Sequence, residues 1–222
     1  MINSENLPLD KKNIDTILVI DFGSQYTQLI ARRIRELNVF SIILPWDVSV
    51  KKINSLNPMG VVLSGGPESV TDLNTPRIPE AVFKLNVPVL GICYGMQTLA
   101  EQFGGQVSSS KNKEFGHAQV KVENPSLLFH GFSKGSLIDV WMSHGDHVTT
   151  LPDQFNLIAS TLSAPIAAME HDSKPLYALQ FHPEVTHTEQ GNTVIKNFIF
   201  KICKCSANWK MENLIEQKIE SI

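Results

Sequence analysis

The amino-acid sequence predicts an α/β fold with a doubly wound, mostly parallel sheet and an antiparallel extension. In the first hundred residues, short apolar runs rich in β-branched residues alternate with segments of helical spacing. Turns that contain glycine follow several of these runs. After residue 106 the pattern changes to shorter apolar runs with few helical segments. Parallel strands joined by helices form a right-handed sheet, and its ligand site lies at the carboxyl ends of the strands.

The elements predicted for the first part of the chain follow this alternation. Thr16–Asp21 is an apolar run typical of a buried parallel strand, and residues 25–37 have the spacing of an amphipathic helix. A second strand is predicted over 39–44, a short helix over 49–56 and a third strand over Gly60–Leu63. Each strand is therefore separated from the next by a helix.

The later elements complete the sheet and add the extension. A helix is predicted over 76–85, the central strand over 88–92 and another helix over 96–103. Residues 106–181 are expected to form the antiparallel extension from short strands. An amphipathic helix over 193–203 then closes the domain.

Two terminal segments stand apart from the domain predicted over residues 16–205. Residues 1–15 form a polar extension, and residues 206–222 have the spacing of a helix that starts a linker. Because that helix follows a core that should already be complete, its apolar stripe indicates contact with a partner domain or subunit. The stripe is formed by Met211, Leu214, Ile215 and Ile219.

Composition narrows the class of protein. With 222 residues, 42% of them hydrophobic, the chain can bury a sizeable core, and a net charge of −3 argues against a general nucleic-acid surface. No apolar stretch approaches the roughly 20 residues that span a bilayer, and the polar start is unlike a secretory signal. Three cysteines do not make a disulfide framework, and Cys203 and Cys205 lack further metal ligands nearby. We therefore expect a cytoplasmic protein without a metal site.

Cys93 is the candidate nucleophile. It lies between Gly91 and Gly95, where the central strand passes into the following helix. Small residues on both sides of the apex are typical of a nucleophile elbow, a tight turn that exposes the apical side chain. The amino end of the helix and a histidine base should both favour the thiolate.

His182 is the candidate base and Glu184 its orienting carboxylate. Six other histidines compete, but only His182 is followed at the second position by a carboxylate at the end of an apolar run. In extended backbone the two side chains would point to the same side. A thiol, a base and a carboxylate are the parts of covalent acyl transfer.

Two further polar segments require an interpretation. Ser143, His144, Gly145 and Asp146 contain the residue types of a serine triad, but adjacent positions in one turn cannot all meet, so a binding loop is predicted. Residues 64–69 are close to the loop that grips pyrophosphate in ATP pyrophosphatases, although a proline and an acidic residue there weigh against it. Exposed amides after a strand can instead hold a developing oxyanion, and this role is preferred.

These motifs together resemble the class I (triad) glutamine amidotransferases, which have a flavodoxin-like fold. The resemblance rests on residues 91–97 and 181–184. Within the class, the chain is similar in register, from about residue 16 to residue 205, to the amidotransferase domains of GMP synthetases. Four segments carry this narrower similarity, at residues 21–29, 63–69, 139–146 and 182–188.

The resemblance implies roles for individual residues. Cys93 would be the nucleophile, His182 the general base and then acid, and Glu184 the residue that orients it. Backbone amides of Gly66 and Tyr94 would form the oxyanion hole. The residues implied to hold the amino-acid end of glutamine or to line the pocket are Gly65, Gln97, Ser143, His144, Gly145 and Asp146.

The resemblance also implies a reaction and a partner. Glutamine would be hydrolysed at its side-chain amide through a thioester, and the ammonia would pass to an ATP-pyrophosphatase domain that adenylates XMP and aminates it to GMP. No such domain lies within the 222 residues, so the chain is expected to be the glutaminase half of a two-domain enzyme. No cofactor is expected in this chain, ATP and Mg²⁺ being expected only in the partner domain, and the full-length enzyme is expected to be a homodimer.

Two alternatives remain open. The domain could be a catalytically silent docking module of the same complex, although the complete triad favours an enzyme. It could also be the glutaminase of another class I amidotransferase. A γ-glutamyl hydrolase or the glutaminase of anthranilate synthase shares the triad but not the segments at 143–146 and 185–188.

Overall fold

The computed structural model describes residues 14–210, apart from the side chains of residues 110–113, and shows an α/β fold. The first elements are β1 (Thr16–Asp21), α1 (Thr27–Glu36), β2 (Phe40–Pro45), α2 (Val50–Leu56), β3 (Gly60–Leu63), α3 (Glu80–Lys84), β4 (Val89–Ile92) and α4 (Tyr94–Gln102). The remaining elements are β5 (Gln106–Val122), β6 (Leu137–Thr150), β7 (Phe155–Ser160), β8 (Ala168–His171), β9 (Leu176–Leu179) and α5 (Gly191–Lys196). A π-helical segment, Asn197–Ile202, continues α5.

The strands of the described part form one mixed sheet in the order β2-β1-β3-β4-β9-β8-β7-β5-β6. The first five strands in this order are parallel, and β9 pairs in parallel with β4 and antiparallel with β8. With β9 in fifth place, the parallel half has the flavodoxin-like order. The predicted fold class is therefore confirmed, including its antiparallel extension.

Helices cover both faces of the parallel half because its strands are buried on both sides. Ile17 and Val19 of β1 point into a core shared with α1, α5 and the π-helical segment. Leu18 and Ile20 point the other way, into a core shared with α2, α3 and α4. Successive side chains of a strand alternate between faces, so one apolar run supplies both cores.

The antiparallel extension contains longer strands than the short ones that the sequence predicts. β5 has 17 residues and β6 has 14, and they pair with each other along most of their length. The alternation of buried and half-buried positions in β6 continues through Met142, His144, Asp146 and Val148. Two of these inward positions are polar. They interrupt the apolar pattern of the sequence, but β6 continues through them.

Two helices differ from their predicted bounds for local reasons. The helix predicted over 76–85 is reduced to α3, which begins at Glu80 after two prolines. A residue that precedes proline is disfavoured in the helical region, so Thr75 and Ile78 keep the backbone extended until Pro79 has passed. The closing helix begins at residue 191, two residues earlier than predicted, and becomes π-helical from Asn197.

Packing continues beyond Cys205, the predicted end of the domain. Residues 206–210 are not helical, and Trp209 is buried, with its ring centroid 5.8 Å from that of Phe40. The Trp209 amide donates to the Asn38 carbonyl at 2.9 Å. The core therefore extends at least to Trp209. The predicted stripe of Met211, Leu214, Ile215 and Ile219 lies outside the described residues, as do residues 1–13.

Candidate active site

The turn between β4 and α4 holds Cys93 in a backbone conformation that few non-glycine residues adopt, with φ +53° and ψ −107°. A Cβ atom on Gly91 would lie 2.7 Å from the Gly95 carbonyl oxygen, and one on Gly95 would lie 2.5 Å from the Leu63 oxygen. Only glycine fits at either position. The Cys93 amide donates to the Leu179 carbonyl at 2.7 Å, which ties the turn to the end of β9. The tight strand-to-helix turn is present, but the Cys93 residue is only 6% exposed, so the prediction of an exposed apical side chain is wrong.

His182 and Glu184 form a buried pair beside the elbow. The distance from His182 Nδ1 to Glu184 Oε1 is 2.7 Å, and the exposed fractions of the residues are 3% and 0%. The predicted reason for this meeting is wrong, because residues 182–184 lie in a turn after β9 and not in extended backbone. The turn brings the carboxylate back to the imidazole.

The environment of His182 favours its charged form. Burial lowers the pKa of His182, but the Glu184 carboxylate and the Cys93 side chain raise it, and the result lies well above the usual value. The Cys93 side chain is thus close enough to the His182 ring to influence its pKa. Because Nδ1 is occupied by Glu184, the other ring nitrogen is the one available to the sulfur. The arrangement can hold a thiolate beside an imidazolium.

A cavity of about 720 Å³ opens over the elbow at the carboxyl ends of the parallel strands. This is the edge of the sheet where the sequence places the site. The cavity brings together most of the predicted site residues, namely Gly66, Cys93, Tyr94, Gln97, Ser143, His144, Gly145, Asp146 and His182. Gly65 is not among the lining residues, but it is adjacent to two of them, since a Cβ atom there would be 3.2 Å from His182 Cε1 and 3.7 Å from Cys93 Cβ.

Two backbone amides near Cys93 are suited to bind an oxyanion. Tyr94 is the first residue of α4, so its N–H has no partner within the helix. Within the described chain, neither this amide nor that of Gly66 donates to a backbone carbonyl. A Cβ atom on Gly66 would lie 2.9 Å from the Phe22 oxygen, so the close approach of these segments requires glycine.

The predicted binding loop at residues 143–146 is part of β6 and not a loop. Gln97 Nε2 donates to the Asp146 carbonyl at 2.7 Å, and the Ser69 hydroxyl donates to the Asp146 carboxylate. His144 is buried, and this burial lowers its pKa although Glu114 lies 3.3 Å away. Both ring nitrogens of His144 are buried, and Nε2 faces Glu114, although other atoms of His144 line the cavity.

Several contacts of the site were not predicted from the sequence. Tyr26 places its ring edge-on to His182, with ring centroids 5.3 Å apart, and Arg33 Nε donates to the Glu184 carbonyl at 3.0 Å. The Thr188 hydroxyl donates to the His182 carbonyl at 2.6 Å and accepts from the Trp141 amide at 3.0 Å. Gln180 lies against Cys93, with Nε2 3.8 Å from the sulfur.

The two cysteines outside the elbow are ordinary core residues. Cys203 and Cys205 are buried, and burial raises the pKa of both thiols, that of Cys205 to about 12. Within residues 14–210, excluding the side chains left undescribed, no group of three or more His, Cys, Asp or Glu residues is placed to hold a metal ion. No helix in the described ranges has the length and apolarity to cross a membrane.

The amino-acid sequence was compared with those of known proteins, and it matches one family and many of its members. A family model described as glutamine amidotransferase class-I matches residues 18–202. The chain is 52% identical over 211 residues to the GMP synthase (glutamine-hydrolyzing) of Histophilus somni, covering 93% of this chain and 40% of that protein. It is 55% identical over 212 residues to the enzyme of the same name from Teredinibacter turnerae, with the same coverage. The chain thus spans about 40% of the length of these curated relatives.

Solved structures agree with the fold. A candidate GMP synthase subunit from Thermoplasma acidophilum superposes with a TM-score of 0.73 at 35% identity, covering 95% of this chain and 99% of that one. A glutamine amidotransferase from Thermotoga maritima superposes with a TM-score of 0.62 at 21% identity, covering 93% of each chain. At that lower identity the likeness concerns the fold alone.

Proposed function

The chain belongs to the class-I glutamine amidotransferase family, and from this premise we propose that it is a glutaminase acting through a thioester on Cys93. The observation that carries the proposal is the position of His182, which hydrogen-bonds to the Glu184 carboxylate and lines the same cavity as Cys93. A base placed between a nucleophile and an orienting carboxylate is the arrangement that covalent acyl transfer requires.

In the proposed reaction, the Cys93 thiolate attacks the side-chain carbonyl carbon of glutamine. The negative charge that develops on the carbonyl oxygen is stabilised by the amides of Gly66 and Tyr94. When the tetrahedral intermediate collapses, the C–N bond breaks, and the His182 imidazolium gives its proton to the departing ammonia. A water molecule, deprotonated by His182, then attacks the thioester carbon, which releases glutamate and restores Cys93.

The amino-acid end of glutamine is proposed to bind along β6. Asp146, held by Ser69, offers a carboxylate to the ammonium group, and His144 lines the same cavity. Gln97 supports this binding strand through the Asp146 carbonyl, with Ser143 and Gly145 as neighbouring wall residues and Gly65 beside His182 and Cys93. Because Gln97 Nε2 also lies 3.4 Å from Gln180 Oε1, its oxygen is the end left for a ligand.

We further propose that the ammonia serves the ATP-dependent amination of XMP to GMP. The proposal rests on the curated relatives, which are GMP synthases more than twice as long as the matched region. The remaining length would supply an ATP-pyrophosphatase domain, and ATP with Mg²⁺ would bind there. The resemblance extends this proposal to a cytoplasmic enzyme that is a homodimer at full length.

Replacing Cys93 with alanine tests the nucleophile. Glutamate release should fall by about 10³-fold or more, because members of a triad act as a unit. Cys205→Ala is the matched control, since it removes a buried thiol outside the cavity and should retain activity in folded protein. Glutamate release is measured enzymatically, and folding is checked by circular dichroism. Activity of Cys93→Ala near that of the parent chain would contradict the assignment.

Labelling with a thiol-reactive glutamine analogue separates the enzyme from a silent docking module. Mass spectrometry should find the adduct on Cys93 and not on Cys203 or Cys205. Those two thiols serve as internal controls because neither lines the cavity and burial raises the pKa of both. If Cys93 in the folded chain took up no label, the docking module would be favoured.

A further inference from the structure

Gln180 is completely buried beside the candidate nucleophile. Its side-chain Nε2 lies 3.8 Å from Cys93 Sγ, and its exposed fraction is 0%. We propose that Gln180 is a further catalytic residue, whose amide N–H donates to the Cys93 thiolate and stabilises it for attack. This inference rests on the proposed function, because it requires Cys93 to be the nucleophile.

The surrounding network determines which end of the Gln180 amide faces the sulfur. Gln97 Nε2 is 3.4 Å from Gln180 Oε1, and the same nitrogen donates to the Asp146 carbonyl at 2.7 Å. An amide nitrogen only donates, so the atom of Gln180 that faces Gln97 must be its oxygen. The Gln180 NH₂ group is thereby directed to Cys93. Gln97 acts as a positioning residue in this chain of contacts.

The backbone of Gln180 is also fixed. Its amide donates to the Ala167 carbonyl at 2.8 Å, directly after the end of β9. The donor therefore extends from the rigid sheet and not from a mobile loop. A donor held in place before the reaction needs little reorganisation when charge develops on the sulfur.

The polar contacts of the sulfur differ in the protonation state that they favour. The Ser143 carbonyl lies 3.5 Å from Cys93 Sγ and can accept only from the neutral thiol. The Gln180 amide and a charged His182 favour the thiolate instead. Since a hydrogen bond to an ion is stronger than one to a neutral group, Gln180 contributes most when the thiolate is formed.

Other titratable groups also face the sulfur or its cavity and contribute to the pH dependence of the site. Glu184 stands behind His182. The titratable residues that line the cavity from other elements are Tyr26, Glu68, Asp72, Tyr94, His144 and Asp146. Substitutions at Gln180 leave all of these in place, so a change in pH dependence reports on the donor at the sulfur.

The test measures alkylation of Cys93 by iodoacetamide as a function of pH, read from the Cys93 peptide by mass spectrometry. In Gln180→Met, which keeps the length and removes the donor, the pH at half-maximal rate should rise by about one pH unit. That shift is a tenfold change in the thiolate-to-thiol ratio. In Gln180→Glu, which places a carboxylate beside the sulfur, the rise should be larger. Glutaminase kcat should fall by about tenfold in Gln180→Met, with KM little changed.

Gln102→Met is the matched control because it removes an amide of α4 that bonds to Ile78, away from the sulfur. Its alkylation profile should match that of the parent chain. Gln97→Met, which removes the group that orients Gln180, should shift the profile in the same direction as Gln180→Met by a smaller amount. If Gln180→Met does not fold, the proposal is tested by the pH dependence of Cys93 alkylation in Gln97→Met.

An unchanged profile in folded Gln180→Met or, failing that, in folded Gln97→Met would overturn the role of Gln180. The failure of the proposed function has a different signature. In that case Cys93→Ala would retain glutaminase activity, whatever the alkylation profiles of the glutamine variants. The two ideas can therefore fail separately.

Discussion

Glu184 is a buried carboxylate that depends on a single hydrogen-bonded neighbour. Oε1 bonds to His182 Nδ1 at 2.7 Å, whereas Oε2 has no hydrogen bond among the described residues. A buried charge with so few partners is costly unless an opposite charge compensates it. The carboxylate and the imidazolium therefore stabilise each other, and either one alone would be poorly accommodated.

Substituting glutamine for Glu184 should keep the shape of the site but weaken the base. An amide presents either its oxygen or its NH₂ group to Nδ1, so the favoured ring tautomer is no longer enforced. Glutaminase activity should fall by roughly 10–10⁴-fold, less than in Cys93→Ala or His182→Ala. The pKa of His182 should also fall, because the Glu184 carboxylate raises it. Steady-state rates and NMR titration of the imidazole measure the two effects.

Glu189→Gln is the matched control, because Glu189 is an exposed acid on the same segment. It should retain the activity and the His182 titration of the parent chain. Full activity in Glu184→Gln would show that the carboxylate does not orient the base.

For individual residues, local sequence signals predict the triad but not the residues that hold the triad in place. Cys93 is marked by flanking glycines, and Glu184 by its distance of two residues from His182. Gln180 and Arg33 carry no comparable signal, since their partners lie 87 and 151 residues away in the chain. Contacts of this kind become visible only when the sheet has brought the strands together.

Among the elements, the turn that carries the catalytic base is held by two neighbours. The Thr188 hydroxyl bridges the His182 carbonyl and the Trp141 amide, and the His182 amide donates to the Trp141 carbonyl at 3.1 Å. Arg33 of α1 holds the Glu184 carbonyl from the other side. Both attachments are to the backbone, so they fix the main-chain positions from which the His182 and Glu184 side chains extend.

Thr188→Val should misplace the base without emptying the core, because valine has nearly the same shape as threonine. Loss of the bridge leaves the His182 carbonyl and the Trp141 amide each without one partner. A shift of about 1 Å can cost roughly 10²-fold in rate, so kcat should fall by about 10–100-fold while KM changes little. Thr188→Ser restores the hydroxyl and should restore most of the activity.

Thr186→Val is the matched control, because Thr186 is an exposed threonine in the same turn. This variant should retain the activity of the parent chain. Rates are measured alongside thermal unfolding, so that lost activity can be separated from lost stability. Equal kcat values in Thr188→Val and the parent chain would exclude the positioning role.

Element bounds were predictable where apolar periodicity is uninterrupted and not where function or proline intervenes. β1 and β3 match their predicted bounds because their runs are continuous. β6 was not predictable at full length, because His144 and Asp146 occupy inward positions that face the cavity. These polar site residues interrupt the apolar alternation from which the strand would otherwise be predicted.

For the whole molecule, the surface around residues 185–190 is the place where a partner could act on the site. His187 and Glu189 are exposed, and the His187 ring stacks on Trp141 with centroids 4.5 Å apart. Thr188, in the same turn, bonds to both Trp141 and His182. A contact made on this exposed surface therefore reaches the base through a short chain of bonded groups.

We expect the isolated chain to hydrolyse glutamine slowly and the full assembly to hydrolyse it faster. Without a synthetase, released ammonia would be lost, and a small misplacement of the base of about 1 Å is enough to keep the domain slow, by roughly 10²-fold. The comparison is glutamate release by the chain alone and by the chain joined to an ATP-pyrophosphatase domain with XMP and ATP. The joined protein without nucleotides is the control. Equal rates in all three samples would show that the site is already organised.

The docking of Trp209 also decides on which side of the sheet the chain leaves the domain. Trp209 and Ser206 attach to Asn38 and Asp15, at the amino ends of the parallel strands, whereas Cys93 lies at the carboxyl ends. Strands of this length separate the two edges by about 20 Å. A domain joined after Lys210 would therefore start from the edge of the sheet opposite to the candidate active site, and its contact with that site would require the chain to pass around the sheet.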